Sequence, residues 1–235
     1  MKTELHSSSC ILHFALALAL FTTAPRAPGQ AFSNLDFEAA IVETNGQPWP
    51  AMWLDWNLAA PGWSHSAGES TAIVFYFAEH LGMSQYFLLM DAISPYYAPG
   101  TQLAGDYSLA FASGRLNDPD PSSPWAYAYI AQTGPIPGGA RSLQLLATGP
   151  FQVFLGGVDI GMSSRGGNAY EGDIAAFAGT LAELKIMNTA TAVHTPTVVD
   201  NIVFIPEPSS ALLGSVGVGW FCLWKRIGCA GRRRS

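Results

Sequence analysis

Few side chains in the central part of this chain, residues 32–204, have the type and spacing that chemistry requires. Its three histidines, His65, His80 and His194, are not in the His-x-x-x-His or His-Glu-x-x-His spacing of zinc sites. Neither Gly-x-Ser-x-Gly nor Gly-x-Gly-x-x-Gly occurs, so no serine-hydrolase or dinucleotide-binding motif is present. The cysteines lie outside this segment, at Cys10, Cys222 and Cys229, which excludes a disulfide framework or a thiolate metal site within it.

Carboxylates are the best-represented candidate ligands. Asp36 and Glu38 lie in the predicted first strand and Asp200 in the predicted last one, so pairing of these strands would bring three carboxylates together. Oxygen ligands of this kind are those that Ca²⁺ prefers. Residues 117–120 form a second oxygen-rich cluster without the complete EF-hand pattern. A solvated polar face or a local Asx turn is the alternative for either cluster. The sequence assigns no cofactor; Ca²⁺ is the candidate, with Asp36, Glu38 and Asp200 as its candidate ligands.

Aromatic residues in two long predicted loops are candidates for carbohydrate binding, because Trp and Tyr rings stack on the apolar faces of sugars. The loops span residues 45–69 and 94–105. The alternative is that these rings are buried, as Trp usually is. Trp63 is set apart, since Pro61-Gly62-Trp63 predicts a turn that places the indole in the core. The candidate sugar-binding residues are Trp49, Trp53, Trp56, Tyr96 and Tyr97.

A glycoside hydrolase is a second possibility to weigh. Its two carboxylates need a separation that only the fold determines, and no carboxylate of this chain is distinguished by its neighbours. Two carboxylates about 5–10 Å apart in a concave pocket would favour a secreted polysaccharide-acting hydrolase. A flat aromatic surface without such a pair would favour binding. The sequence favours a non-enzymatic protein, with no catalytic residue assigned.

The distribution of charge limits the partners. The chain has 235 residues, of which 49% are hydrophobic and 12% charged, and its formal net charge is −6. Residues 32–204 contain four cations and fifteen carboxylates, which gives this segment a formal charge of −11. An acidic surface repels phosphate backbones, so no nucleic-acid partner is expected. The other seven cations lie in the two ends of the chain.

The segment between these ends reads as β-strands separated by turn residues. Apolar or alternating runs recur between Gly, Pro, Asn and Asp, and no run of a dozen residues keeps a helical period. We predict an all-β fold, a jelly-roll-like β-sandwich of about eight to ten strands. The predicted strands are Asn34–Ala40, Thr71–Ala78, Tyr86–Ile93, Asp106–Ala112, Trp125–Gln132, Ser142–Thr148, Phe151–Leu155, Leu181–Asn188 and Val198–Ile205.

The N-terminus has the features of a secretory signal peptide. Lys2 precedes the apolar run Ile11–Phe21, which is too short to cross a bilayer but fits the hydrophobic region of a signal. Small residues at Gly29 and Ala31 indicate cleavage between Ala31 and Phe32. We therefore assign residues 1–31 to a signal peptide and residues 32–204 to an exported domain.

The C-terminus, residues 205–235, has three parts in order. Pro206-Glu207-Pro208 is followed by the apolar stretch Ala211–Trp224 and a basic end that includes Arg232–Arg234. Fourteen residues make a helix of about 21 Å, short for a membrane span. The basic flank would stay on the cytoplasmic side, which places the preceding domain outside. A plain C-terminal anchor helix is the alternative.

This tail resembles the PEP-CTERM sorting signal of certain bacteria. The resemblance implies that an exosortase, a membrane protease, recognises Pro206, Glu207 and Pro208. It further implies transient anchoring through residues 211–224 and delivery to the cell envelope or the extracellular polymer. The three residues of the motif would then be recognition residues.

Several short segments spread over most of the predicted exported domain carry a second resemblance, at residues 34–38, 61–63, 132–134, 140–143, 173–179 and 200–202. In these segments the domain resembles ectodomains of PEP-CTERM proteins with a galactose-binding-like or carbohydrate-module jelly roll. The resemblance implies a β-sandwich of a non-enzymatic surface or matrix protein that could bind extracellular polysaccharide. It assigns no catalytic residue.

Overall fold

The computed structural model describes residues 32–42, 52–66, 73–76, 85–91, 102–115, 120 and 122–207. The regular elements of these ranges are β-strands, apart from one short helix, α1 (Trp56–Ala59), and a 3-10 turn at Ala175–Phe177. The strands are β1 (Met52–Asp55), β2 (Ser64–His65), β3 (Ile73–Tyr76), β4 (Tyr86–Met90), β5 (Ser108–Ala112), β6 (Gly114–Arg115), β7 (Trp125–Ala126), β8 (Tyr129–Pro135), β9 (Ala140–Thr148), β10 (Phe151–Leu155), β11 (Val158–Asp159), β12 (Ser163–Gly166), β13 (Ala169–Asp173), β14 (Leu181–Asn188) and β15 (Thr197–Pro206).

The strands form two main sheets and one short pair. The larger sheet has the order β1-β3-β4-β5-β15-β9-β13-β12, and the smaller has the order β11-β10-β14-β8-β2. Strands β6 and β7 pair separately. Every pairing is antiparallel except that of β3 with β4. The predicted all-β sandwich is confirmed, although the described residues alone contain more strands than the predicted eight to ten.

The core lies where alternating side chains of the two sheets meet. Along β14 the buried residues are every second one, Ala182, Leu184, Ile186 and Asn188, as expected for a strand with one face packed and one face toward solvent. Ala182, Leu184 and Ile186 share one hydrophobic cluster with residues of the large sheet such as Phe111 and Leu143. Such burial of apolar surface is the main favourable term in folding.

Strand β4 is buried along its whole length. Phe87 and Leu89 belong to the main core. Tyr86, Leu88 and Met90 belong to a second cluster with residues of β5 and β15. The large sheet therefore packs on both of its faces in this region, and an unbroken apolar run replaces the alternating pattern.

The predicted strand at Asn34–Ala40 is wrong. This segment forms turns, with Asn34 at φ +50° and Phe37 at φ +57°. The Asn34 side chain accepts a hydrogen bond from the backbone N–H of Ala39 at 2.9 Å, so it closes a turn locally. Phe37 is fully buried and stacks on Trp63. Phe37 therefore enters the core from a turn and not from a strand.

Asn188, at the end of β14, joins the small sheet to the large one. Its side chain is fully buried. The amide Nδ2 donates to the Thr195 carbonyl and to Thr197 Oγ1, both at 2.9 Å, and Oδ1 accepts from the Ala190 N–H at 3.1 Å. Ser113 Oγ donates to the Asn188 carbonyl at 2.9 Å. The bond to Thr197 reaches the first residue of β15, so the amide holds the start of that strand against β14.

Replacing Asn188 by Ala is expected to lower the free energy of unfolding by about 3 kcal/mol, because several buried hydrogen-bonding groups lose their partner at once. Urea denaturation of the variant beside the wild type measures this. Asn168→Ala, at an exposed turn residue, is the matched control and should change the stability by less than about 0.5 kcal/mol. Equal stabilities of the two variants would contradict the assigned role.

Candidate functional site

Asp200 occupies an irregular position in the middle of β15. The pairing of β15 with β9 shifts register between Asp200 and Val203, and Asn201 has φ +45°. A local irregularity of this kind changes the direction in which side chains point from a strand. The carboxylate of Asp200 is buried, with 1% of the residue exposed. An isolated buried carboxylate is unfavourable, so its hydrogen-bond partners decide whether this position is tolerated.

Three donors converge on the Asp200 carboxylate. Oδ2 accepts from the Ala104 N–H at 2.9 Å and from Ser108 Oγ at 2.6 Å, and Oδ1 accepts from the Asn201 N–H at 2.6 Å. Ser108 Oγ also accepts from the Leu103 N–H at 2.8 Å, which leaves its proton for Asp200. The carboxylate therefore fixes the start of β5 and the segment that leads into it.

Glu38 holds the same segment from the other side. Its Oε1 accepts from the backbone N–H groups of Asp106 and Tyr107 at 2.8 and 3.1 Å. Gly105 has φ +55°, and a Cβ on it would lie 2.0 Å from Glu38 Oε1. A glycine is required there both for the backbone conformation and for the approach of the carboxylate. Asp200 and Glu38 thus both act on residues 103–108, which we call the clamped loop.

Burial dominates the electrostatics of Asp200. It raises the pKa of the carboxyl from its ordinary value of 3.8 to about 6, and the negative charge of Glu38 adds to the rise. The hydrogen bonds from Ser108, Asn201 and Ala104 oppose this rise, because they favour the ionised form. Tyr107, in the clamped loop, has a raised pKa for the same reasons, burial first and then the charges of neighbouring carboxylates.

Of the three residues predicted to bind calcium, two converge on the clamped loop. Asp36 is exposed, and its Oδ1 accepts from the Glu38 N–H at 3.4 Å. This contact is the local Asx turn that was the alternative to a calcium site. In the described part of the chain no three His, Cys, Asp or Glu side chains are grouped so that they could hold a metal ion. Calcium binding stays a prediction, while the described contacts of Glu38 and Asp200 are with backbone and serine donors.

The second oxygen-rich cluster is described only at Asp120, since residues 117–119 lie outside the described ranges. Asp120 Oδ1 accepts from the Ser122 N–H at 2.8 Å and from Ser122 Oγ at 2.7 Å. These bonds lower the pKa of Asp120. The residue forms an Asx turn, which is the alternative that the sequence left open.

The tryptophans of the first loop are core residues where the structure describes their side chains. Trp56 is 5% exposed, and its Nε1 donates to the Trp63 carbonyl at 2.5 Å. Trp56 is therefore not available to stack on a sugar, and its prediction as a sugar-binding residue is corrected. Trp63 is 4% exposed and follows Gly62 at φ +88°, which confirms the predicted turn with an inward indole. The other four candidate side chains, those of Trp49, Trp53, Tyr96 and Tyr97, lie outside the described part of the chain.

His65 packs into the same aromatic group. Its ring lies 4.5 Å from Trp56 and 5.5 Å from Phe87, measured between ring centroids. Burial lowers its pKa below the ordinary value of 6.5, because the charged imidazolium loses hydration. The histidine thus packs as an aromatic residue against Trp56 and Phe87.

The Pro-Glu-Pro segment begins inside the folded domain. Pro206 is the last residue of β15 and pairs with Ala140. The N–H of Glu207 donates to the Gly139 carbonyl at 2.9 Å, and its carboxylate forms an ion pair with Arg141. Both side chains are more than half exposed, so the pair adds little stability. Pro208 lies outside the described residues.

Phe32, the residue after the predicted cleavage point, is also anchored. It is 5% exposed and stacks on Phe204 with ring centroids 5.1 Å apart. The backbone N–H of the next residue, Ser33, donates to Gln132 Oε1 at 2.6 Å. Ala31 and the rest of the predicted signal lie outside the described ranges.

Fold and site together define an acidic all-β sandwich whose last strand runs into a Pro-Glu-Pro segment. The chain matches no protein-family model and no curated protein sequence. Ser108 and Arg141 were not anticipated from the sequence. Each acts on a residue more than 60 positions away, a relation for which the chain carries no local signal.

Asp200 is expected to make stability fall as the pH rises from about 4 to about 6. The folded protein holds this proton with a pKa of about 6 against 3.8 for the ordinary value, so the folded state binds it more tightly. Protonation therefore stabilises the fold below pH 4, and this contribution, roughly 2–3 kcal/mol, is lost through pH 6. Urea unfolding between pH 4.5 and 8 measures it as the difference between wild type and Asp200→Asn.

The difference in stability between wild type and Asp200→Asn should change with pH. The Asn side chain does not titrate, so its altered hydrogen bonds change the stability of the variant by the same amount at every pH. Glu183→Gln, at an exposed residue of β14, is the control and should follow the wild type. A wild type and an Asp200→Asn variant that differ by the same amount at every pH would refute the assignment.

Proposed function

We propose that this chain is an exported, non-enzymatic protein that is sorted to the cell envelope or the extracellular polymer. Residues 1–31 serve as the signal peptide, residues 32–204 form the exported β-sandwich, with jelly-roll-like topology, and residues 205–235 form the PEP-CTERM sorting signal. An exosortase-type protease recognises Pro206, Glu207 and Pro208. Residues 211–224 hold the protein in the membrane before processing.

The observation that most supports this proposal is the position of the motif at the end of the folded domain. Pro206 completes β15, and Glu207 still donates to the Gly139 carbonyl. A protease acting just beyond this point would release a complete domain. Among the described residues no helix is long and apolar enough to cross a membrane. Residues 211–224 lie outside the described ranges.

The alternative, a secreted polysaccharide hydrolase, has no observation in its favour among the described residues. The carboxylates whose charges the fold brings near the clamped loop are Glu38, Asp91, Asp106 and Asp200. Glu38 and Asp200 accept backbone hydrogen bonds, and Asp200 is buried away from any substrate. Binding of extracellular polysaccharide is the activity we propose beside sorting, and the acidic domain makes nucleic acid an unsuitable partner.

The sorting proposal is tested by intact mass of the protein recovered from the producing cells. The wild type should lack residues 1–31 and the basic tail. A variant with Pro206, Glu207 and Pro208 all replaced by Ala should lack residues 1–31 but keep the tail. Substitution is preferable to deletion, because an Ala at position 206 can still pair with Ala140 and complete β15.

The matched control replaces Ser209 and Ser210, immediately after the motif, by Ala and should be processed like the wild type. A tail retained in every protein would mean a permanent membrane anchor and would overturn the sorting proposal. Loss of the tail in the triple variant would show that the motif is not what the protease recognises. Retention of residues 1–31 would overturn export through a cleaved signal.

A further inference from the structure

A cleft of about 400 Å³ lies where the chain passes from the small sheet to the large one. Strand β10 of the small sheet supplies one wall, and β13 of the large sheet supplies the other. The turn between β11 and β12, which includes Gly161 and Met162, closes one side. Small-molecule sites have volumes of roughly 300–1,000 Å³, so the cleft has room for a compact ligand.

The two walls are joined by an aromatic pair. Phe151 of β10 and Tyr170 of β13 meet edge to face, with ring centroids 4.9 Å apart and an interplanar angle of 89°. Both residues are partly exposed and line the cleft. The contact fixes the rings before any ligand arrives, which reduces the entropy lost on binding. Aromatic rings held in this way are suited to the C–H faces of a flat, polar ligand.

Polar groups of the cleft have hydrogen-bonding capacity to spare. Asp159 Oδ2 accepts from Gln152 Nε2 at 3.2 Å, and Oδ1 accepts from the Gly161 N–H at 3.0 Å. A carboxylate has about four acceptor sites, so at least two remain for a ligand. Both side chains are exposed at the cleft. Adjacent hydroxyl groups of a sugar ring can donate to such a carboxylate and accept from the amide beside it.

The charge of the residues that line the cleft favours an uncharged ligand over an anionic one. Its lining residues, all in the described part of the chain, include the carboxylate of Asp159 and no Lys or Arg. The surrounding domain is strongly acidic, with fifteen carboxylates and four cations over residues 32–204. An anionic ligand would lose its hydration without gaining a cationic partner. Uronate and sulfated polymers are therefore disfavoured, and uncharged sugars fit.

We propose that the cleft between β10 and β13 binds an uncharged saccharide, with Tyr170 stacking on a sugar ring and Asp159 and Gln152 hydrogen-bonding its hydroxyl groups. This site is separate from the loop aromatics that the sequence suggested. It specifies the polysaccharide-binding part of the proposed function and rests on it for the class of ligand. It does not depend on the sorting signal.

The test is isothermal titration calorimetry of the full chain in a detergent without a sugar headgroup. The uncharged probes are cellotriose, mannotriose and β-1,4-galactotriose, and the anionic probe of equal length is trigalacturonate. We expect at least one uncharged trisaccharide to bind and trigalacturonate to bind at least about tenfold more weakly. No binding of any uncharged probe, or equal binding of the uronate, would overturn the proposal.

Variants locate the binding site. Tyr170→Ala and Asp159→Asn should each weaken binding by about tenfold or more. Tyr127→Ala, at an exposed tyrosine outside the cleft, and Glu183→Gln are the matched controls and should bind like the wild type. Asp159→Asn retains the size of the side chain, so it keeps the test informative even if Tyr170→Ala fails to fold in urea denaturation.

Undiminished binding in both cleft variants would place the sugar elsewhere, for example on Trp49, Tyr96 and Tyr97, and would refute the cleft. The intact-mass experiment decides the sorting proposal independently, because binding is measured on the unprocessed chain. A protein that is sorted but binds no uncharged sugar would disprove only this inference.

Discussion

The insertion of β15 between β5 and β9 is the constraint on which the large sheet depends. Residues 197–199 pair with β5, and residues 198–206 pair with β9. Strands β5 and β9 do not pair with each other, so without β15 the sheet would separate into two parts. Because β15 is the last strand in the described part of the chain, the large sheet cannot be completed until the chain is present as far as Pro206.

The same strand explains why the domain stops where it does. Pro206 has no backbone N–H, so a strand can end on it but can hardly continue a ladder through it. Its pairing with Ala140 and the bond from Glu207 to Gly139 are the last contacts of the described chain with the sheet. Pro206 is therefore compatible with the last position of the β15 ladder but not with a position inside it.

Sequence reasoning succeeded for strands whose alternating apolar residues pack on the core, but it missed the interior strand β13, in which only Gly172 is buried. Strands β10 and β14 have the predicted bounds, because alternating apolar residues pack on the core. It missed β12, whose four residues are all exposed at the sheet edge and carry no apolar pattern. It failed at residues 34–40 because alternation does not reveal that an Asn side chain closes a turn. The cleft could not be predicted from the sequence either, because Tyr170 and Phe151, which meet there, belong to different sheets.

The excess of carboxylates over cations is explained by a structural role that several acidic side chains share in the described loops. Each of several acidic side chains accepts backbone N–H groups that the sheets leave unpaired, and a buried or turn N–H without a partner is costly. Glu38 and Asp200 do this at the clamped loop, where they accept from the backbone N–H groups of Asp106 and Ala104. Local sequence does not distinguish a carboxylate that binds Ca²⁺ from one that accepts a backbone hydrogen bond, because a carboxylate suited to Ca²⁺ is equally suited to an N–H group. The acidic residues acting in this way are Asp36, Glu38, Asp55, Asp120, Asp159, Asp173 and Asp200.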